Sequence, residues 1–481
     1  MSNRPETNKQ SCPVYKKCGG CQLQNLSYPE QLEFKQKKVE KLLKRFCTVE
    51  KIIGMKTPYH YRNKVQAAFY TDKKGKIISG VYQSGSHHVV GIDSCQTEDV
   101  IADKIIVAVR KLLPSFRMTT YNEDTGKGFL RHILVKRGFA TNQIMLVLVT
   151  GTPVFPSKNN FVKAILKQFP EITTIVQNIN PYRTNLVLGD NQKVLYGKGY
   201  IEDILCGCRF RISPKSFYQI NPVQTEVLYG KAIEFANLKG NETVLDTYCG
   251  IGTIGIIAAK NGAGNVIGAE LNGDAVRDAI VNARANNLKN IRFYKADAGE
   301  FMREAADEDE KPDVVFMDPP RAGSDRKFLD SLIKMSPKKV VYVSCNPETL
   351  ARDLAYLTQN SPYKAQKIQP VDMFPHTAHI ETVVKLVRKT PDAYVDLKVD
   401  MDELDLTASE AKATYEEIKQ YILDKYDTKV SNLYIAQVKE KYGIIERENY
   451  NKPKSANTKQ SQCPAEKAVM IEEAFKHFNM I

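Results

Sequence analysis

Two short segments of the chain place reactive side chains directly after apolar runs. Cys345 lies in VVYVSCNPETLARD (residues 340–353), and Asp318 lies in MDPPRAG (317–323). Ligands of open α/β sheets bind at the carboxyl ends of the strands, where such residues would stand. A cysteine that only fills a core would sit inside its apolar run. The placement of this thiol and this carboxylate therefore predicts an active site with a nucleophile.

A thiolate beside carboxylates suits one particular reaction on a pyrimidine. Uracil is electron-poor at C6, so a thiolate can add there and turn C5 into a nucleophile for a methyl group. A general base must then remove the C5 proton so that the thiolate can leave. The segment MFPHTAHIETVVKL supplies three candidates for that base, His376, His379 and Glu381. Glu381 immediately precedes an apolar run and is predicted at a strand edge, whereas a single histidine more often has a structural role.

A glycine-rich segment predicts a site for a nucleotide-like cofactor. Gly250, Gly252 and Gly255 in YCGIGTIG match G-x-G-x-x-G between a predicted strand and a predicted helix. Glu270 lies 20 residues beyond Gly250, where dinucleotide-binding proteins have an acid that binds ribose hydroxyls. S-adenosylmethionine also contains a ribose, so this fingerprint alone does not separate a hydride cofactor from a methyl donor.

Acids at the ends of other predicted strands favour the methyl donor. Asp246 ends the first strand, where it could reach the methionine amine, and Asp297 ends the third, where it could help to place the adenine. Asp318 opens an Asp-Pro-Pro turn at the end of the fourth strand. Methyltransferases that act on planar bases often have such a rigid turn, which holds a flipped base beside the methyl group. These residues predict S-adenosylmethionine as the cofactor.

The elements that must position these residues follow from the hydrophobic pattern. In the region of the glycine-rich segment, strands such as TVLD (243–246) and NVIGAE (265–270) alternate with helices. This alternation predicts a mostly parallel, doubly wound sheet.

The rest of the chain has two other patterns. Short β-type runs, among them KVQAAFYT (64–71) and TNLVLG (184–189), predict an antiparallel region between about residues 50 and 205. Helical patterns after Lys389 predict a small helical extension.

The charge and the absence of long apolar runs restrict the partners. The formal net charge is +14, and nucleic acid is the commonest polyanionic partner of such a protein. Basic and aromatic residues alternate at 59–66, 128–138 and 180–185, which predicts contacts to single-stranded RNA. No apolar run approaches the ~20 residues that span a bilayer, and the N-terminus lacks the apolar segment of a signal peptide. We therefore expect a soluble intracellular protein without a membrane partner.

Four cysteines have the spacing of a metal or cluster site. Cys12, Cys18 and Cys21 form C-x5-C-x2-C, and Cys95 follows in GIDSCQTED. Four thiolates can bind a [4Fe–4S] cluster or a structural zinc ion, and the spacing leaves these two alternatives open.

Five motifs resemble those of the class I RNA 5-methyluridine methyltransferases, in particular the 23S rRNA (uracil-5-)-methyltransferase branch. SPKSFYQIN, LDTYCGIGTIG, DPPRAG, SCNPETLARDL and HTAHIETV occur in the expected order, and the resemblance extends from about residue 11 to 389. It implies that Cys345 is the nucleophile and Glu381 the proton acceptor. It further implies a [4Fe–4S] cluster on the four cysteines. The residues that it places around the methyl donor and the target base are Gln219, Tyr248, Glu270 and Asp318.

Together these features predict an α/β protein with three domains. A cysteine-cluster and β-rich RNA-binding domain is expected at 1–205, and a Rossmann-like S-adenosylmethionine-dependent methyltransferase domain at 206–392. A small helical extension is expected at 393–481.

The resemblance implies 5-methyluridine formation in 23S rRNA by a cytoplasmic enzyme, with no DNA partner expected and a monomer preferred. Three alternatives remain open. They are a tRNA uracil-5-methyltransferase, an amino-group methyltransferase that would not need Cys345, and a non-catalytic RNA-binding factor in ribosome assembly.

Overall fold

The computed structural model describes residues 12–389 apart from 84, 85, 185 and 309, and also residues 413–442, 463–478 and 480–481. The chain divides into two compact units, Met1–Thr390 and Pro391–Ile481. Within these described parts, every helix is too short or too polar to cross a bilayer.

The first unit begins with the cysteine segment and a long helix. A single turn, α1 (Tyr15–Cys18), is followed by α2 (Tyr28–Leu43). Helix α2 starts after Ser27, whose N–H donates to the Glu30 carboxylate at 2.7 Å and so forms half of a capping box. The buried side chains of α2 recur at every fourth position and form one stripe, which consists of Gln31, Lys35, Val39 and Leu43.

A seven-stranded sheet follows. Its strands are β1 (Lys64–Thr71), β2 (Ile77–Tyr82), β3 (Val89–Gly91), β4 (Leu130–Arg137), β5 (Ile144–Thr150), β6 (Ile172–Ile179) and β7 (Asn191–Tyr196). They lie in the order β3-β2-β1-β4-β5-β6-β7. Two helices pack on this sheet, α3 (Val100–Leu112) and α4 (Lys158–Gln168), and a 3₁₀ turn spans Pro114–Phe116.

Five of the six strand pairs in this sheet are antiparallel, as predicted for this region. The prediction is wrong for the sixth pair. Strands β5 and β6 are parallel, because α4 provides the crossover connection that a parallel pair needs. The strand predicted at 184–189 is also wrong, since the described part of that segment is a loop. The side chains of Asn178 and Asn180 donate to the carbonyls of Gly189 and Leu186, and such bonds compete with a strand ladder.

A two-stranded hairpin leads into the second half of the unit. It consists of β8 (Ile201–Leu205) and β9 (Cys208–Ile212). The domain boundary predicted between residues 205 and 206 falls at the turn of this hairpin, so the two strands lie on either side of it. The three-domain division stays a prediction.

The second sheet also has seven strands. They are β10 (Thr243–Asp246), β11 (Asn265–Glu270), β12 (Ile291–Lys295), β13 (Val314–Met317), β14 (Lys339–Ser344), β15 (Tyr363–Val371) and β16 (Glu381–Arg388). The order is β12-β11-β10-β13-β14-β16-β15. The first five strands are parallel, and β16 is antiparallel to both of its neighbours. The predicted Rossmann-like sheet is therefore confirmed.

Helices follow most strands of the second sheet. The helices that follow β10 to β14 are α6 (Thr253–Lys260), α7 (Gly273–Ala285), α8 (Ala298–Asp307), α9 (Arg326–Met335) and α10 (Pro347–Asn360), and α5 (Pro222–Ala236) comes before β10. Asp or Asn side chains cap the first turns of α7 to α10, which ends each preceding loop within a few residues of the strand. The strand order reverses between β10 and β13, where sheets of this kind have their ligand-binding crevice.

The cysteine segment and α2 also contact the second sheet. Val49 and Ile53, in the chain that follows α2, form parallel bridges with Ile368 and Val371 of β15. Val39 and Leu43 of α2 belong to the core on one face of this sheet. The N-terminal segment is thus packed against the sheet that carries Cys345 and Glu381.

The second unit contains three described helices, α11 (Tyr415–Tyr426), α12 (Asn432–Lys441) and α13 (Ala465–His477). Each lies where the sequence pattern predicts a helix, and their apolar faces share one core around Ile418, Ile435 and Phe475. The boundary predicted between residues 392 and 393 lies outside the described residues.

Candidate active site

The turn between β10 and α6 forms one wall of a cavity of about 230 Å³. Gly252 adopts φ 82°, and a Cβ at this position would lie 2.8 Å from Cζ of Phe293, so glycine is required here. Gly250 adopts φ 55° and donates its N–H to Oε2 of Glu270 at 3.1 Å. The turn therefore holds Glu270 at the cavity, where the spacing of the fingerprint predicts it.

Asp246 provides a buried acceptor on the same wall. Its side chain accepts a hydrogen bond from the Gly255 N–H through Oδ2 at 2.8 Å, whereas Oδ1 is buried without a partner in the described structure. Burial, together with the charge of Glu270, raises the pKa of Asp246 to about 7. An unpaired buried acceptor is costly, so Oδ1 suits a ligand that brings a cationic or N–H donor.

Asp318 and Pro320 line the cavity from the end of β13. Burial raises the pKa of Asp318 to about 7, and the charge of Asp246 contributes to the rise. The turn is fastened to the start of α10, because the Arg321 carbonyl accepts hydrogen bonds from Asn346 Nδ2 and Thr349 Oγ1, both at 3.2 Å. This ties the Asp-Pro-Pro turn to the loop that carries Cys345.

Cys345 and Glu381 lie at the ends of adjacent strands. In the antiparallel pair β14–β16, Ser344 stands opposite Thr382. The same register, continued by one residue, places Cys345 opposite Glu381. Side chains of directly opposed residues share one face of the sheet with their Cβ atoms ~5 Å apart. The register therefore brings the predicted nucleophile and one of the three candidate bases together.

The electrostatic surroundings of this pair confirm that they are close. The pKa of the Cys345 thiol is raised to about 11 by burial and then by the charges of Glu381 and Asp318, while Arg321 lowers it. Glu381 is 4% exposed, and burial followed by the charge of Asp318 raises its pKa well above the usual value. Two carboxylates and one guanidinium thus surround the thiol.

The two histidines have different positions. His376 is buried, with its ring nitrogens near Gln31 Nε2 and the Pro58 carbonyl, so its contacts are those of a structural residue. His379 is half-buried, and its Nε2 lies 3.5 Å from Arg321 Nη2. Burial and the charge of Arg321 both lower the pKa of His379.

Other predicted cofactor residues divide between the cavity and a structural role. Gln219 and Tyr248 line the cavity together with Gly250 and Glu270. Asp297 is not among the lining residues. Its Oδ1 instead accepts the N–H groups of Gly299 and Glu300 at 2.9 and 3.2 Å, which makes it the N-cap of α8.

Tyr229 and Phe217 are among the lining residues that reasoning from the sequence missed. Tyr229 on α5 is 2% exposed, lies at the cavity and is influenced by the charge of Asp318. Phe217 also lines the cavity, although 61% of it is exposed. A tyrosine inside an apolar helix gives no local signal, whereas an exposed phenylalanine beside the SPKSFYQIN motif could have been suspected.

The predicted RNA-contact segments differ in exposure. In 128–138, Arg131 and Lys136 are only 2% and 5% exposed. Arg131 pairs with Glu123 at 2.8 Å, and Lys136 donates to two backbone carbonyls. The prediction that these two side chains contact RNA is therefore wrong. Tyr182 is 67% exposed, so the segment 180–185 still presents an aromatic ring to solvent.

The four predicted cluster cysteines lie in one region but do not form a metal site. Burial raises the pKa of Cys21 to about 12, and the charges of Cys95, Cys18 and Cys12 contribute to this rise. Among the residues that the structure describes, no three Cys, His, Asp or Glu side chains are grouped closely enough to hold a metal ion. The predicted [4Fe–4S] cluster is thus not confirmed.

Comparisons with known proteins agree with the fold. The model of the tRNA (uracil-5-)-methyltransferase family matches residues 183–389. A Bacillus cereus protein named as an uncharacterized RNA methyltransferase is 44% identical over 389 residues, which is 80% of this chain and 84% of that protein. A Clostridium tetani protein with the same name is 45% identical over 377 residues, 78% of this chain and 81% of that protein.

One similar solved structure is the Pyrococcus abyssi tRNA (uracil-54, C5)-methyltransferase in complex with S-adenosyl-L-homocysteine. It is 31% identical, covers 79% of this chain and 88% of its own, and has a TM-score of 0.65. The class that the fold and these relatives define is that of RNA methyltransferases. Within it, the chain belongs to the RNA 5-methyluridine methyltransferase family.

Proposed function

We propose that this protein transfers a methyl group from S-adenosylmethionine to C5 of a uracil in RNA through a covalent adduct on Cys345. The observation that carries the proposal is the opposition of Cys345 and Glu381 at the ends of β14 and β16. Both stand beside a cavity lined by Asp246, Glu270 and Asp318.

The residues of the cavity fit the methyl donor. The unpaired Oδ1 of Asp246 can accept a hydrogen bond from the amine, and Glu270 stands where ribose hydroxyls bind in sites of this type. The charge of Asp246 raises the pKa of Asp318, and the charge of Glu270 raises the pKa of Asp246, as long as these charges remain uncompensated. A bound sulfonium cation would offset that repulsion, and the donor supplies the electrophilic methyl group.

Side chains of the protein then carry out the reaction on the uracil ring. The Cys345 thiolate forms a bond to C6, and the electron pair of the C5=C6 bond moves into an enolate. C5 of the enolate bonds to the methyl carbon while the bond from that carbon to the donor's sulfonium sulfur breaks, which leaves the pair on sulfur and releases S-adenosylhomocysteine. Glu381 takes the C5 proton, the freed electron pair restores C5=C6, and the C6–S bond breaks to return the pair to Sγ. Phe217 is exposed and lines the cavity, so it offers an aromatic ring on which an unstacked base can stack.

The proposal also specifies which RNA is the substrate. The sequence motifs resemble the 23S rRNA branch, so we name 23S rRNA as the substrate. A tRNA is the second candidate, because both the matching family model and the similar Pyrococcus abyssi structure are named for tRNA methylation.

A direct assay separates these substrates. Purified protein with methyl-labelled donor and transcribed 23S rRNA or tRNA is expected to yield labelled 5-methyluridine, identified by nucleoside chromatography, in the rRNA only. Label in tRNA alone would move the proposal to the second candidate. Methylated adenine or guanine would contradict uracil chemistry, and binding without any methylation would favour a non-catalytic factor.

The proposal includes a [4Fe–4S] cluster on Cys12, Cys18, Cys21 and Cys95. Four thiolates are the ordinary ligand set of such clusters, and the three other thiols are close enough to influence Cys21. The sulfurs would have to move towards one another on binding, because they are not grouped as ligands in this structure. The position of the segment beside the second sheet makes the role of the cluster structural.

The cluster has a simple analytical test. Protein purified without oxygen is expected to contain about four iron and four sulfide ions per chain, and Cys21→Ser should lose most of both. Cys47→Ser is the matched control, since that half-buried thiol lies outside the segment. Zinc in place of iron, or neither metal in the wild type, would reject the cluster.

A further inference from the structure

Glu381 follows directly after the connection between β15 and β16. This connection is held in place by contacts with residues outside the catalytic sheet. It comprises residues 372–380 and begins directly after Val371, whose register partner is Glu381. Any shift of this connection would therefore move the carboxylate of Glu381 relative to Cys345. Three of the side chains that hold it, those of Tyr28, Gln31 and Lys35, belong to α2 in the N-terminal segment.

The first contact is a fully buried ion pair. Lys35 Nζ lies 2.5 Å from Asp372 Oδ1, and both side chains are 0% exposed. Lys35 also donates to the Phe374 carbonyl at 3.0 Å. The Tyr28 hydroxyl donates to Asp372 Oδ2 at 2.9 Å, so two α2 residues share one carboxylate at the start of the connection.

The second contact is made by Gln31, one helical turn before Lys35. Gln31 is 0% exposed, and its Oε1 accepts the backbone N–H of His376 at 2.8 Å. Its Nε2 lies 3.2 Å from His376 Nδ1, while His376 Nε2 lies 2.9 Å from the Pro58 carbonyl. This arrangement fits a neutral ring with the proton on Nε2, and burial lowers the pKa of His376.

His376 has a backbone conformation that needs such support. Its φ is 69°, in the left-handed region that is strained for a non-glycine residue. A buried ion pair such as Lys35–Asp372 is in general a weak source of stability, because removing two charges from water offsets their attraction. The contacts of α2 therefore define the geometry of the connection more than they stabilise the fold.

We propose that Gln31, Lys35 and Tyr28 are positioning residues for the release step, which hold the 372–380 connection so that Glu381 reaches the C5 proton of the methylated adduct. The inference rests on the proposed function. In release, Glu381 takes the proton, C5=C6 re-forms and the C6–S bond breaks. Addition of Cys345 and methylation come before this step and do not need the carboxylate in that place.

The inference predicts different effects on two rates, those of adduct formation and adduct decay. A general loss of stability would change both rates together. With a misplaced base, the adduct should form at nearly the normal rate and decay slowly. A displacement of ~1 Å can cost on the order of 100-fold in rate. Gln31→Leu is therefore expected to slow adduct decay by about 10- to 100-fold.

The experiment uses single turnovers of the full-length protein with the methyl-labelled donor and each RNA transcript, stopped at intervals and resolved on denaturing gels. Gln177→Leu is the matched control. Gln177 is a buried glutamine of β6 that donates to Thr150 Oγ1 and the Thr152 carbonyl at 2.9 and 3.2 Å, far from the connection in the sequence and in another sheet. Labelled protein–RNA adduct should accumulate with Gln31→Leu and not with Gln177→Leu.

Each contrary outcome has a distinct meaning. Equal slowing of formation and decay in Gln31→Leu, or normal decay, would overturn the positioning role while leaving the proposed function intact. If the wild type methylates neither RNA and forms no adduct, both proposals fail. If Gln31→Leu does not fold, Tyr28→Phe carries the same test, because it removes only the hydroxyl that bonds Asp372.

Discussion

Replacing Cys345 by alanine is expected to lower 5-methyluridine formation by about 10⁴-fold or more, the size of loss seen when a catalytic nucleophile is removed. Without the thiolate, C5 of uracil stays a weak nucleophile. Binding of RNA and of the methyl donor should change little, because the half-buried thiol of Cys345 is not among the residues that line the donor cavity. The measurement is the initial rate with methyl-labelled donor, together with binding isotherms for both substrates.

RNA that contains 5-fluorouridine provides a second readout for the same variant. Fluorine at C5 blocks proton removal, so the wild type should remain covalently attached to this RNA on a denaturing gel. Cys345→Ala should form no adduct, and Cys47→Ala, which changes a thiol outside the site, should form it normally. A Cys345→Ala protein that still methylates RNA at a comparable rate would contradict the thiolate mechanism and favour methylation of an amino group.

Replacing Glu381 by glutamine is expected to block release of the methylated adduct, a later step than the one that Cys345→Ala blocks. General bases typically contribute 10²- to 10⁴-fold in rate, so turnover should fall by about that factor. The nucleophile is still present, so methylated adduct should accumulate on ordinary uridine-containing RNA. The measurement is the yield of adduct that carries the donor's methyl label.

The control for Glu381→Gln is Glu242→Gln. Glu242 is also a buried glutamate, and its carboxylate accepts the backbone N–H groups of Lys239 and Gly240 outside the cavity. It should leave both adduct formation and release unchanged. Loss of adduct formation in Glu381→Gln would instead assign Glu381 to activation of the thiol.

The pH dependence of release follows from the raised pKa of Glu381. A base accepts a proton only when it is ionised, so release should slow as the pH falls through that raised pKa. The raised pKa of Cys345, about 11, acts in the same direction on the addition step. Both steps should therefore become faster as the pH rises, release until Glu381 is ionised and addition until the thiol of Cys345 is ionised.

Local pattern was sufficient for most strands of the second sheet. TVLD and NVIGAE form β10 and β11 with the predicted bounds, because each is an apolar run that ends in an acid and is followed by a turn. The buried strands of a parallel sheet are nearly continuous apolar runs, which makes them easy to recognise. The alternation of strands and helices then determines the doubly wound topology.

Local pattern was less informative where contacts from elsewhere decide the structure. TNLVLG has the composition of a strand, yet asparagine side chains from β6 and the residue after it hold its described part as a loop. The crossover helix α4, which makes β5 and β6 parallel, was likewise not predicted. In both cases long-range packing outweighs the local preference.

By itself the sequence determined the chemistry available to this protein, because the types of side chain that follow each apolar run are a local property. A thiol, a glycine-rich turn and several acids at strand ends are visible without coordinates. Only the tertiary structure decided which of these groups meet. The register of β14 and β16 brings Glu381, one of the three candidate bases, to Cys345, and Asp297 caps helix α8. Arg131 and Lys136 are buried, so their side chains are not available for RNA contacts. Register and burial depend on contacts between residues far apart in the chain, and no local pattern records them.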